Sequence, residues 1–164
     1  MKAFSLVLWI IFTILVMPIF AWATDDIHIE RLATCQDSWI EWENEPSKLK
    51  DLSKDINSTF VEKGNSGFLV PKSEKSVFGL KVVQLFPESI GMAVGFSVMV
   101  EGDFKTTRET LEKRLGKLFK KCETGDDMLS CELEIGEKKT ILILAEEDGK
   151  NIKTLFGCFY YYEK

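Results

Sequence analysis

The sequence predicts an α+β protein in which two helices come first and an antiparallel sheet of about five strands follows, with one helix inserted in the order ββαβββ. Two observations support this class. Apolar residues recur every three to four positions between residues 27 and 60, whereas later segments are rich in β-branched and aromatic residues. Short turn sequences separate most of these later segments, and strands joined by short turns pair antiparallel.

The leader, residues 1–23, has the composition of a cleaved secretory signal peptide. Lys2 precedes an uncharged apolar run from residue 3 to residue 20, and Ala21-Trp22-Ala23 fits the small-x-small pattern of a cleavage site. The run is also about as long as a bilayer requires, so an uncleaved membrane anchor is the alternative. Pro18 and the cleavage pattern favour removal. We therefore predict export to the periplasm or the extracellular space.

Residues 24–164 are predicted to form a single exported domain without a membrane span. No second long apolar run follows the leader, and the length fits one domain. The helical start, residues 24–63, leads through the turn-rich segment 64–76 into the sheet part, residues 67–164. We interpret the segment as a connection, because about forty residues before it are few for an independent domain.

Two helices are predicted before the sheet. The first covers residues 27–44 and follows Asp25 and Asp26, which suit a helix start. The second has Pro46 in its first turn and ends near Gly64. The apolar residues at helical spacing are Ile29, Leu32, Cys35, Trp39 and Trp42 in the first helix, and Leu49, Leu52, Ile56 and Phe60 in the second.

Five strands and a third helix are predicted after the turn-rich segment. The third helix begins at the capping-box spacing of Thr106 and Glu109 and stops near Gly116. Gly95 lies inside a strand pattern and indicates a bulge or the close approach of another backbone or ring. The predicted strands cover residues 77–86, 92–100, 128–135, 140–145 and 154–162, the first two forming a hairpin.

The four cysteines, all outside the leader, are predicted to form two disulfides, in agreement with export. Cys122 and Cys131 flank a turn signal, so we favour a bond that closes a hairpin. Cys35 and Cys158 would then join the first helix to the last strand. The alternatives are free buried thiols or a four-cysteine zinc site, which the spacing fits poorly because a Cys-x-x-Cys knuckle is missing.

The last strand has aromatic residues on both of its faces. If Cys158 faces the core, Tyr160 and Tyr162 share its face, and Phe159 and Tyr161 point the other way. Residues 141–144 are also apolar without alternation. Either helices cover both sides of this sheet, or an exposed aromatic patch serves binding.

The residues predict no catalytic group, metal site or cofactor. His28 is the only histidine, and it stands where a solvated surface group is expected. The carboxylates do not have the spacing of a calcium loop. With 21 basic and 26 acidic residues, the chain is also too acidic for a nucleic-acid binder. The one basic run is either a solvated helix face or a docking face for an acidic partner; it comprises Lys113, Arg114, Lys117, Lys120 and Lys121.

Two functions fit this sequence. The first is a small exported, non-catalytic protein that binds another macromolecule, as an inhibitor, an immunity protein or an envelope accessory protein does. The alternative is a carrier that holds a small apolar ligand between sheet and helices. The candidate binding residues are Phe159, Tyr160, Tyr161 and Tyr162 of the last strand, together with Trp39 and Trp42 of the first helix.

Overall fold

The computed structural model describes residues 25–87, 89–90, 93–125, 128–146 and 153–161, so the predicted leader lies outside the described residues. Within those ranges the chain forms three helices, α1 (Ile27–Ala33), α2 (Pro46–Thr59) and α3 (Phe104–Leu115). The strands are β1 (Phe60–Glu62), β2 (Leu69–Pro71), β3 (Ser76–Val77), β4 (Leu80–Phe86), β5 (Ser89–Ile90), β6 (Ala93–Glu101), β7 (Lys120–Thr124), β8 (Met128–Glu134), β9 (Lys139–Glu146) and β10 (Lys153–Tyr160).

These strands form a large antiparallel sheet, which confirms the mixed helix and strand class. The hydrogen-bonded order is β1-β2-β4-β6-β10-β9-β8-β7, with β3 beside β4 and β5 beside β6. The expected number of about five strands was wrong. The additional strands β1, β2, β3, β5 and β7 have two to five residues each. Such strands are too short to show a clear two-residue alternation in sequence.

The predicted first helix was longer than the observed one, because α1 ends at Ala33 and residues 34–44 are irregular. We call residues 34–44 the anchored segment. Cys35 has a positive φ of 60°, a left-handed conformation that stops the helix. The backbone amides of Gln36 and Asp37 both donate to the carbonyl of Arg31. The helical spacing of Trp39 and Trp42 was therefore coincidental.

The second and third helices agree more closely with their predicted positions. α2 has Pro46 at its start, as expected, but it ends at Thr59 and not near Gly64, because the chain becomes extended at Phe60 and forms β1. α3 begins before the expected capping box, because Asp103 is its N-cap and accepts a hydrogen bond of 2.8 Å from the Thr106 amide. It ends at Gly116, which has a φ of 64°, as the sequence predicts.

Side chains from all three helices pack against one face of the sheet, which we call the helix-covered face. Strand alternation places Val98 of β6, Phe156 of β10 and Ile143 of β9 side by side on this face. All three are fully buried. The helical side chains that pack against them in the same core cluster are Ile29, Leu32, Leu52, Ile56 and Leu111.

Candidate functional site

Two disulfides hold the region in which the candidate binding residues lie. Cys35 is bonded to Cys158, with their Cα atoms 5.1 Å apart, and Cys122 is bonded to Cys131, with a Cα separation of 4.1 Å. Both favoured pairings are confirmed. The first bond attaches the anchored segment to β10, and the second joins β7 to β8.

The anchored segment brings Trp42 against Tyr160 of β10. Their rings meet edge to face, with centroids 6.3 Å apart and an interplanar angle of 86°. Tyr160 is buried, whereas Trp42 has 61% of its surface exposed. The Trp42 indole therefore packs on the buried Tyr160 ring, and most of the indole surface remains accessible to solvent. We call Trp42, Tyr160, Glu43 and Lys139 the aromatic corner.

Polar contacts hold the aromatic corner in one arrangement. The Tyr160 hydroxyl donates a 3.1 Å hydrogen bond to Ser38 Oγ, and burial raises the pKa of this phenol. Lys139 Nζ lies 5.3 Å from the Tyr160 ring centroid and 2.5 Å from a carboxylate oxygen of Glu43. The cation thus contacts both an aromatic face and a carboxylate, which restricts its position.

The other candidate residues are divided among different environments. Trp39 is partly buried and packs on Phe96, with ring centroids 5.5 Å apart. Phe159 has only 2% of its surface exposed. Tyr161 is 52% exposed, and Tyr162 lies outside the described residues. Among the candidates that the structure describes, Trp42 and Tyr161 thus have a large accessible aromatic surface.

Tyr161 belongs to the side of the sheet opposite the helix-covered face. Burial is the main cause that raises the pKa of its phenol, and the negative charge of Glu132 adds to it. Leu142 and Leu144 share this side by strand alternation and are half-buried. Phe159 and Leu155 of β10 lie on the same side and are 2% and 8% exposed, so this side is covered at the central strand and more accessible at Tyr161.

The remaining sequence candidates do not come together as a reactive site. His28 is half-exposed, with Nε2 3.9 Å from a carboxylate oxygen of Asp55. Across the described ranges, no group of three or more His, Cys, Asp and Glu side chains could hold a metal ion. In the same ranges, no helix has both the length and the apolar character to cross a membrane.

Sequence reasoning missed the polar partners of the aromatic corner. Ser38, Glu43 and Lys139 do not belong to a motif, and Lys139 lies far from the other two in the chain. The predicted disulfide between Cys35 and Cys158 was the one signal that could have placed residues 38–43 beside the end of β10. Comparison with known proteins adds no further assignment, because no family model, curated protein or solved structure matches the chain.

Proposed function

We propose that this chain is an exported, non-catalytic protein that binds another macromolecule through the aromatic corner, with Tyr161 following Tyr160 at the same end of β10 on the other side of the sheet. One observation carries the proposal: an exposed Trp42 is held against a buried Tyr160 by a segment that a disulfide attaches to the sheet. Tryptophan and tyrosine are prominent among residues that dominate binding energy, since they bury a large area with few rotatable bonds. An inhibitor, an immunity protein and an envelope accessory protein all act in this way.

The rigidity of the anchored segment supports binding. Besides the disulfide, Asp37 holds this segment through two ion pairs, at 2.7 Å from Arg31 Nε and 2.6 Å from Lys48 Nζ. The Asn44 side chain also donates to the carbonyl of Ser38. A surface that is already ordered loses less conformational entropy on association, so more of the contact energy contributes to affinity.

A carrier function has less support from the geometry. An apolar ligand between sheet and helices would need space there, but Ile29, Phe96 and Phe156 fill that layer and are almost completely buried. A depression of about 230 Å³ lies elsewhere, at the β7–β8 edge. It is lined by Leu133 and by four residues with charged side chains, namely Lys120, Lys121, Glu132 and Glu134.

The first test is native mass spectrometry of the protein purified gently from its own host. A second polypeptide in the complex supports the binding function, whereas a retained small adduct on a monomer contradicts it and favours the carrier. The bare mass also tests removal of residues 1–23. The same spectrum reports the hydrogen atoms lost in the two disulfides.

Two variants test the proposed surface. One carries Trp42→Ala alone, and the other carries Trp42→Ala together with Tyr161→Ala. We expect Trp42→Ala to raise the Kd of the captured complex roughly thirtyfold, about 2 kcal/mol, because a central aromatic contact is lost. Val61→Ala is the matched control, since Val61 is an exposed apolar residue on β1, four strands from β10 in the sheet order. An unchanged Kd in both aromatic variants would show that the partner binds elsewhere.

A further inference from the structure

A second surface with a different chemistry lies between the end of α3 and the edge strand β7. Leu118 is 70% exposed, the highest value among the large hydrophobic residues described as exposed. It stands between Lys117 and Lys120, and Lys113 lies five positions earlier in the last turn of α3. We call Lys113, Arg114, Lys117, Leu118 and Lys120 the basic surface.

The structure holds Leu118 outside the core instead of burying it. Gly116 turns the chain out of α3 with its left-handed conformation. The next core residue is Phe119, whose amide donates 3.1 Å to Glu112 Oε1 and whose ring is buried. Leu118 therefore lies between a helix cap and a buried neighbour, and its exposed position is defined by both.

The charges of the basic surface are compensated only in part. In the described part of the chain, Lys113, Lys117 and Lys120 have no carboxylate within ion-pair distance. Glu132 nevertheless lies opposite Lys120 in strand register, and the pKa of Glu134, lowered mainly by its hydrogen bond with Lys121, is lowered further by the charge of Lys120. Arg114 is 3.9 Å from Asp25, and the adjoining Lys121 is bonded to Glu134. On a chain of formal net charge −5, this is a local positive area around an exposed leucine.

We propose that the basic surface docks an acidic segment of a partner protein that places an apolar side chain on Leu118 and carboxylates near Lys113, Lys117 and Lys120. Charge complementarity over a small area speeds encounter and selects an acidic partner. The depression at the β7–β8 edge is not part of this contact, because Glu132 and Glu134 line it together with Lys120 and Lys121.

An acidic protein segment fits this surface better than an anionic membrane. One exposed leucine inserts little apolar area into a bilayer, and stable membrane attachment needs more. An extended anionic surface would also repel the net negative chain, whereas a short acidic segment meets only the local charge. Addition of a strand to β7 is disfavoured, because the register is irregular between Lys120 and Glu123 and Lys121 has a positive φ of 49°.

The proposal does not depend on the aromatic corner, and a separate probe tests it. The probe is a short fluorescein-labelled peptide in which leucines are spaced among glutamates. Its matched control has the same leucines spaced among lysines. Fluorescence anisotropy measures the affinity of each peptide for the full chain at low and high NaCl concentration. Vesicles of anionic and of neutral phospholipid, followed by co-sedimentation, test the membrane as the occupant.

The protein variants separate charge from apolar contact. We expect the triple variant Lys113→Glu, Lys117→Glu, Lys120→Glu to bind the glutamate peptide at least roughly tenfold more weakly, and Leu118→Ser several-fold more weakly. The matched control is Lys50→Glu, Lys54→Glu, Lys63→Glu, which makes the same charge change on exposed lysines of α2 and the loop after β1. Circular dichroism verifies that each variant is folded.

We expect the chain to bind the glutamate peptide and not the lysine peptide. NaCl should weaken this binding, and only the variants of the basic surface should lose it. Absence of peptide binding would overturn the proposal. An equal loss in both lysine triples would also overturn it, because net charge would then be the cause. Binding to anionic vesicles in place of the peptide would assign the surface to a membrane and overturn the protein partner.

Discussion

At the scale of single residues, Asp37 shows how one carboxylate sets the conformation of the anchored segment. Its side chain is only 7% exposed and bonds both Arg31 and Lys48. The hydrogen bond from Arg31 is the largest cause that lowers its pKa to about 2 from the usual 3.8, although desolvation acts in the opposite direction. Asp37 therefore joins the end of α1 to the beginning of α2.

We predict that Asp37→Asn lowers the free energy of unfolding at neutral pH by at most about 2 kcal/mol, because a lowered pKa in the folded state is a contribution to stability. The half-exposed cations and solvent screening reduce this value. The contribution is complete above pH 3.8 and is lost as the pH falls towards about 2.

Urea denaturation of the Asp37→Asn variant and the unmodified chain as a function of pH checks this dependence. Asp51→Asn, an exposed position on α2, is the control. A difference between Asp37→Asn and the unmodified chain that persists at pH 2 would contradict an electrostatic origin.

Gly95 illustrates a residue whose role was foreseen from sequence alone. Of the two predicted alternatives, the close approach of another backbone is confirmed, because a Cβ at this position would lie 2.0 Å from the carbonyl oxygen of Cys158 and the register with β10 continues through Gly95 without a bulge. The neighbouring strand backbone leaves no room for a side chain. Such a site is visible in sequence because a glycine interrupts a strand pattern of valines and other apolar residues.

At the scale of elements, the two disulfides differ in what they hold together. The bond between Cys35 and Cys158 spans 123 residues and joins the anchored segment to a central strand. The bond between Cys122 and Cys131 spans nine residues and closes one hairpin. The long connection removes more conformational freedom from the unfolded chain, and only that connection supports the aromatic corner.

We predict that removing the long disulfide, by Cys35→Ser and Cys158→Ser, costs more stability than removing the short one, by Cys122→Ser and Cys131→Ser. Loop entropy alone gives ~4.9 kcal/mol for the long bond and ~2.7 kcal/mol for the short one. Denaturant titrations of the two double variants measure the order. The reverse order would mean that residual structure in the unfolded chain, and not loop length, determines the contributions.

At the scale of the whole molecule, β10 is the centre of the sheet although it is the last strand in sequence. It pairs with β6 from Lys153 to Tyr160 and with β9 from Leu155 to Tyr160. All of its side chains after Lys153 are buried. The two ends of the sheet order, β1 and β7, have a neighbour on one side only among the described strands.

We predict that backbone amides of β10 are the slowest to exchange with deuterium, because their exposure requires global unfolding. Amides of β1 and β7 should exchange roughly a hundredfold faster through local opening of the sheet edges. Hydrogen exchange followed by mass spectrometry measures both. Equal protection of β7 and β10 would show that something covers the β7 edge in solution.

The sequence alone determined the mixed class, the antiparallel pairing and the presence of α2 and α3, and it favoured the observed cysteine pairing among three possible connectivities. These features rest on local chemistry: apolar periodicity, glycine and proline at turns, and cysteines beside recognisable elements. Tertiary structure alone decided the end of α1, the short strands and the aromatic corner. The reason is physical: Cys35, Asp37 and Trp42 take their conformations from Cys158, Lys48 and Tyr160, and a local pattern contains no information about such distant partners.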